Sequence, residues 1–117
     1  MCDTLTYDFV NILRRARPDV PVVMVEGPIY PYARYDSHFG DYLPRKNAAF
    51  RRNYERLKAE NPDNLYYVDS VGLDGPEDDG TVDGIHLTDL GFRHYADKMT
   101  PILRQILEER RAKAAAK

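Results

Sequence analysis

Asp83 and His86 stand three residues apart in Asp83-Gly84-Ile85-His86, immediately ahead of Leu87-Thr88-Asp89-Leu90-Gly91. On a loop, a carboxylate at that spacing can accept the Nδ1 hydrogen of the imidazole and leave Nε2 open as a base. The chemistry would be proton abstraction from a nucleophile. Taken alone the spacing is weak, because Asp and His fall three apart by chance and a loop histidine is more often simply solvated.

Other groups carry two readings each. Ser37 and His38 are neighbours in Tyr35-Asp36-Ser37-His38, yet adjacency does not aim one side chain at the other, and a Ser37–His86 pairing is the lesser expectation. Glu26 ends the run from Val22, where ligands of α/β proteins often approach, so it either lines a pocket or caps the following loop. Tyr30, Tyr32, Tyr35 and Tyr42 can stack on a sugar or acyl group, or shield a core, which is the commoner use. The acidic run Asp74, Glu77, Asp78, Asp79 and Asp83 fails the calcium-loop pattern: its glycine is misplaced and no closing glutamate follows. A solvated loop with no metal is expected there. His94, between Phe92 and Ala96, reads as structural, and Cys2 as incidental.

The elements that must position these groups follow from apolar spacing. Leu5, Phe9, Ile12, Leu13 and Ala16 predict a helix closed by Arg17-Pro18. Val22-Val23-Met24-Val25 predicts a strand covered on both faces. From Gly27 to Pro44, prolines, glycines and aromatic rings without a period predict a long loop, and loops of that length tend to be functional. Ala49, Phe50, Tyr54 and Leu57 then mark a helix from Arg45 to Glu60, stopped by Asn61-Pro62. Leu65-Tyr66-Tyr67-Val68 is the second strand, with Asp69 at its end. Thr88 caps a third helix bearing Leu90, Phe92, Ala96, Met99, Leu103 and Ile106, which Pro101 should kink or restart with Thr100 as a new cap. The charged, alanine-rich end from 110 to 117 can remain helical but has little to bury, and reads as a frayed tail after a single domain over 1–109. Helix, strand, helix, strand, helix implies a parallel strand pair joined by a right-handed crossover, hence α/β layering.

Composition narrows the partners. The 117 residues allow one core, and 43% hydrophobic with 31% charged residues is ordinary for a globular chain. A net charge of −2 offers no footprint for nucleic acid. The longest apolar stretch, Val22 to Val25, is far short of a membrane span, and no basic-then-apolar signal opens the chain. One cysteine excludes an internal disulfide, so a soluble chain, cytoplasmic by default, is expected.

Asp83-Gly84-Ile85-His86-Leu87-Thr88-Asp89-Leu90-Gly91-Phe92, preceded by Asp79-Gly80-Thr81-Val82, resembles the final block of the SGNH hydrolases, also called GDSL-type esterases and lipases. The likeness extends over most of residues 5 to 107. It implies a flavodoxin-like three-layer sandwich with a parallel sheet, here only its last strand–helix units. It also implies that Asp83 orients His86, and that His86 is the general base toward a serine in ester or acyl hydrolysis without a cofactor. A small-molecule ester is the implied substrate, an acetyl or other short acyl group on a carbohydrate being the first expectation, beside lipid, thioester and peptide-like acyl groups.

The chain departs from that pattern where the nucleophile should be. Its two serines, Ser37 and Ser70, do not follow a Gly-Asp pair. Asn11 lies in the first helix, and Asn47, Asn53, Asn61 and Asn64 lie in or beside the second, so none fits the family's oxyanion position. The expectation is therefore the C-terminal half of an SGNH domain, from a truncated or mis-started product, with negligible esterase activity alone and self-association through an exposed strand edge. The competing expectation is a non-catalytic α/β fragment or binding module that keeps the block for structural reasons.

Overall fold

The computed structural model describes residues 2–76 and 78–116. Its elements are α1 (Cys2–Ala16), β1 (Val22–Val25), a 3₁₀ turn (Pro31–Arg34), α2 (Ser37–Glu60), β2 (Leu65–Val68), a second 3₁₀ turn (Asp78–Gly80) and α3 (Asp89–Ala115). The strands pair in parallel, Val22 opposite Leu65 and Val25 opposite Val68. Both strands lie where the β-branched and aromatic runs predict them.

Alternation along the strands sends side chains to two cores. On one face Met24 and Leu65 pack with Val10 of α1 and Leu57 of α2, flanked by Tyr7, Phe50, Tyr54 and Tyr67. On the other, Val68 packs with Leu73 and with Met99 of α3, beside Val23, Val25, Tyr95 and Ile102. Helices thus cover both faces of the sheet, the α/β three-layer arrangement expected for the SGNH fold. Leu57, Leu65 and Leu73 are fully buried, each stabilising the fold by about 1.5–3 kcal/mol relative to an exposed position.

Three local expectations are corrected. The loop from Gly27 to Pro44 is largely helical, because Asp36 caps α2 so that it starts at Ser37, eight residues before Arg45: Asp36 Oδ1 accepts from the amides of His38 at 2.9 Å and Phe39 at 3.4 Å. Pro44 then sits inside the helix. In α3, Pro101 forces no restart, since Met99 and Ile102 dock on the same sheet face on either side of it. The apolar stripes of α1 and α3 are turned outward in part: Leu5, Phe9, Ile12, Leu90, Phe92 and Leu103 are exposed, and Val10, Tyr95 and Ile102 serve the cores instead. The last turns, from 110 to 115, are helical with exposed side chains. No helix among the described residues is long and apolar enough to cross a membrane.

Candidate active site

The loop from Gly80 to Thr88 folds back on itself as a short hairpin. Thr81 and Leu87 form an antiparallel bridge. The Val82 amide donates to His86 O at 2.7 Å, and the Thr88 amide donates to Gly80 O at 2.9 Å. The turn passes through Gly84 at φ +87°, a backbone state that disfavours any side chain. Tyr32, from the loop after β1, packs directly over Gly84, its Cβ 2.8 Å from where a Gly84 Cβ would lie. The segments that leave the carboxyl ends of the two strands therefore meet at this turn.

Within the turn Asp83 is held by three donors. Oδ1 accepts from the amides of His86 at 2.8 Å and Ile85 at 3.0 Å, and Oδ2 lies 2.6 Å from His86 Nδ1. The His86 amide first, then its ring and the Ile85 amide, hold the carboxyl far below the usual carboxylate range. Asp83 is thus favoured as an ionised acceptor, and its contact with Nδ1 places the hydrogen of the neutral imidazole there. The imidazole is 79% exposed, and no described residue hydrogen-bonds its Nε2. Sequence spacing and structure agree that these two side chains meet.

The block is anchored behind the histidine by the start of α3. Thr88 Oγ1 accepts from the Gly91 amide at 3.1 Å and donates to Asp79 O at 3.0 Å. Gly91 is buried under Gly80, and a Cβ there would stand 2.0 Å from Gly80 O. Gly91→Ala is therefore expected to push α3 off the hairpin and cost about 1–3 kcal/mol, with disturbed His86 and Thr88 amide shifts in NMR spectra. Unchanged stability and shifts would show that the contact is not tight.

The remaining candidates are dispersed. Ser37 is the first residue of α2 and exposed, and it makes no hydrogen bond to His86. His38 stacks on Tyr42 at 6.2 Å between ring centroids, and Tyr32 meets Phe39 edge-on at 5.7 Å. Asn47 clamps Gly27, donating to its carbonyl at 2.8 Å and accepting from its amide at 3.2 Å. Glu77 of the acidic run lies outside the described residues, and no described group of three or more His, Cys, Asp or Glu could hold a metal ion.

Glu26 is a buried brace, although residue spacing suggested a pocket wall or a cap for its own loop. Oε1 accepts from Arg51 Nη2 at 2.9 Å and from the Tyr67 hydroxyl, and Oε2 accepts from the Ser70 amide at 2.8 Å. It also borders a cleft between α2 and Ser70. Burial alone pushes its carboxyl upward, but the hydrogen bonds from Tyr67, Arg51 and Ser70 outweigh it and leave it lowered. Lys98 of α3 braces the next step of the chain, donating to Asp69 Oδ1 and Asp69 O at 2.8 Å each and to Val71 O. Residue order gave no signal for Arg51 or Lys98, because each acts on a partner distant in sequence.

The GDSL-like Lipase/Acylhydrolase family matches residues 1–104 of the chain. Among solved structures, the chain is similar to a protein of Bacteroides ovatus ATCC 8483 described as a GDSL-like lipase, with a TM-score of 0.86 and 32% sequence identity. The superposition covers 92% of this chain and 32% of that one, so the chain spans about a third of its relative's length. No curated protein matches it. The motif around His86, the layered fold and a family match over residues 1–104 together make the chain a member of the GDSL-like lipase/acylhydrolase family.

Proposed function

We propose that the chain carries the base half of a serine acylhydrolase site, with His86 as general base, Asp83 as its orienting carboxylate, and the nucleophilic serine supplied from outside these 117 residues. The observation that carries this reading is the 2.6 Å contact of Asp83 Oδ2 with His86 Nδ1, beneath an Nε2 open to solvent. Nε2 takes the proton of the serine hydroxyl as its oxygen bonds to the acyl carbonyl carbon. The imidazolium, stabilised by Asp83, then returns the proton to the leaving alkoxide as the ester C–O bond breaks. Water repeats the sequence on the acyl-serine and releases the acid. The absence of a Gly-Asp-Ser sequence supports an outside serine, as does the lack of a hydrogen bond from Ser37 or Ser70 to His86. The exposed Tyr32 ring beside Gly84 favours a sugar-borne acyl group, since it offers a stacking surface next to the base.

Asp83→Asn tests the pair in the assembly with a serine-bearing partner. The amide can donate to Nδ1 and trap the wrong tautomer, so kcat is expected to fall on the order of 10³–10⁴-fold. Full activity in Asp83→Asn would count against the pair.

A further inference from the structure

The turn that carries Asp83 and His86 is held from two sides. Behind it, Thr88 and the Gly80–Gly91 contact tie the ends of the hairpin to α3. No residue of its tip, from 82 to 86, belongs to either core, and the side chains of Asp83 and His86 are 53% and 79% exposed. The second support is Tyr32. Around the point where a Gly84 Cβ would stand, the three nearest heavy atoms are Tyr32 Cβ at 2.8 Å and Tyr32 Cγ and Cδ2 at 3.2 Å each. Gly84 therefore serves twice: its φ of +87° turns the chain, and its bare Cα admits the tyrosine. Tyr32 is itself fixed by local contacts. It sits in the first 3₁₀ turn, where its carbonyl accepts from the amides of Tyr35 at 3.0 Å and Asp36, the cap of α2, at 3.1 Å. Its ring meets Phe39 of α2 edge-on at 5.7 Å. Gly40 lets α2 close on that 3₁₀ turn, since a Cβ there would stand 2.8 Å from Ala33 O. A run of contacts thus leads from the start of α2 through Tyr32 to the residue between Asp83 and His86.

We propose that Tyr32 is a positioning residue for the base: by bearing on Gly84 it keeps the turn in the arrangement that holds Asp83 Oδ2 against His86 Nδ1, a role that rests on His86 being the base of an acylhydrolase site. The pair meets only because the backbone from 83 to 86 curls back within one turn. Gly84, the most permissive residue in that curl, has no side chain of its own to restrict it, and Tyr32 supplies the restriction from outside. Displacing a reacting group by about 1 Å can cost on the order of 10²-fold in rate, so restraint at Gly84 bears on the chemistry without contact with substrate. The ring has room for both of its uses. Cβ, Cγ and Cδ2 bear on Gly84, and Tyr32 is still 41% exposed, which leaves surface for stacking on a sugar-borne acyl group.

The test is NMR on the full chain alone, comparing wild type, Tyr32→Ala and Tyr32→Phe. With the imidazole neutral, the ring-nitrogen shifts of the wild type are expected to place the His86 hydrogen on Nδ1, and the Val82 amide, which donates to His86 O, to be protected from exchange. Tyr32→Ala should draw the two nitrogen shifts toward an average of tautomers and speed Val82 exchange about tenfold, the scale of one lost aromatic contact. Tyr32→Phe keeps the ring and should restore both signals. Tyr32 lies in neither core, so Tyr32→Ala is expected to fold. If circular dichroism shows otherwise, Phe39→Leu withdraws the edge contact on the Tyr32 ring and is read in the same way. Unchanged nitrogen shifts and Val82 exchange in Tyr32→Ala would overturn the proposal. So would a Tyr32→Phe variant that behaves like Tyr32→Ala, since it would give the role to the hydroxyl. The catalytic reading fails separately: ring signals that depend on Tyr32, without His86-dependent turnover once a serine-bearing polypeptide is added, sink that reading and leave the restraint on the turn standing, and turnover with ring signals indifferent to Tyr32 does the reverse.

Discussion

If His86 is the base as proposed, His86→Ala is expected to lower ester turnover, measured with a serine-bearing polypeptide added to the chain, on the order of 10³-fold or more, with little change in stability. The magnitude follows from the role: without the imidazole, serine attacks as an unassisted hydroxyl, and the leaving alkoxide departs without a proton. Stability should be spared because the ring is 79% exposed and its one hydrogen bond among the described residues is to an exposed carboxylate. The backbone amides of Ile85 and His86 still fix Asp83 in the variant, so the hairpin keeps its shape. Initial rates of nitrophenol release and a urea melt, run side by side, check both halves. A variant that keeps its rate, or one that unfolds, would contradict the assignment.

The second large effect is on folding. Glu26→Ala is expected to destabilise the chain by about 2–4 kcal/mol, because it strands the Ser70 amide and the Tyr67 hydroxyl where β1 and β2 end. Arg51, half exposed, can turn to solvent and adds little to the loss. The same network sets a pH dependence. Glu26 is lowered from its ordinary 4.5 in the folded chain, so the unfolded state binds more protons between the two values. Its contribution is complete above about pH 4.5 and is lost as pH falls through the folded value. Asp69 and Asp83 are lowered too, by Lys98 and by the His86 amide first. Glu26→Gln should therefore flatten the acid slope of the urea midpoint without abolishing it. A variant with the wild-type slope would show that Glu26 is not stabilised as a carboxylate.

What the residues reveal in order depends on range. Val22 to Val25 and Leu65 to Val68 announce strands because β-branched and aromatic runs fit only a covered sheet, and Thr88 announces a helix start because its hydroxyl can reach an amide three residues on. Asp83 and His86 were legible for the same reason, their contact being made within one turn. Asp36 caps α2 by equally local chemistry, but the prolines around it and Pro44 argued for a loop, and packing of Leu43, Asn47 and Leu57 overrode them. The exposure of Leu5, Phe9 and Ile12 was not legible, since helical spacing marks an apolar stripe without saying what lies opposite it. Glu26, Tyr67 and Ser70 meet across more than 40 residues, and only the parallel register brings them together.

The measurement that bears most directly on the account is the site of phosphonylation, read by mass spectrometry after a fluorophosphonate reacts with the chain and the unmatched part of the Bacteroides ovatus protein together. The reagent forms a bond from phosphorus to an activated serine oxygen with loss of fluoride, and so marks whichever serine the base serves. The account predicts a label on a serine of the added polypeptide, formed rapidly with the wild-type chain and lost in His86→Ala. A His86-dependent label on Ser37 or Ser70 would place the nucleophile inside the chain, and labelling indifferent to His86 would remove it as the base.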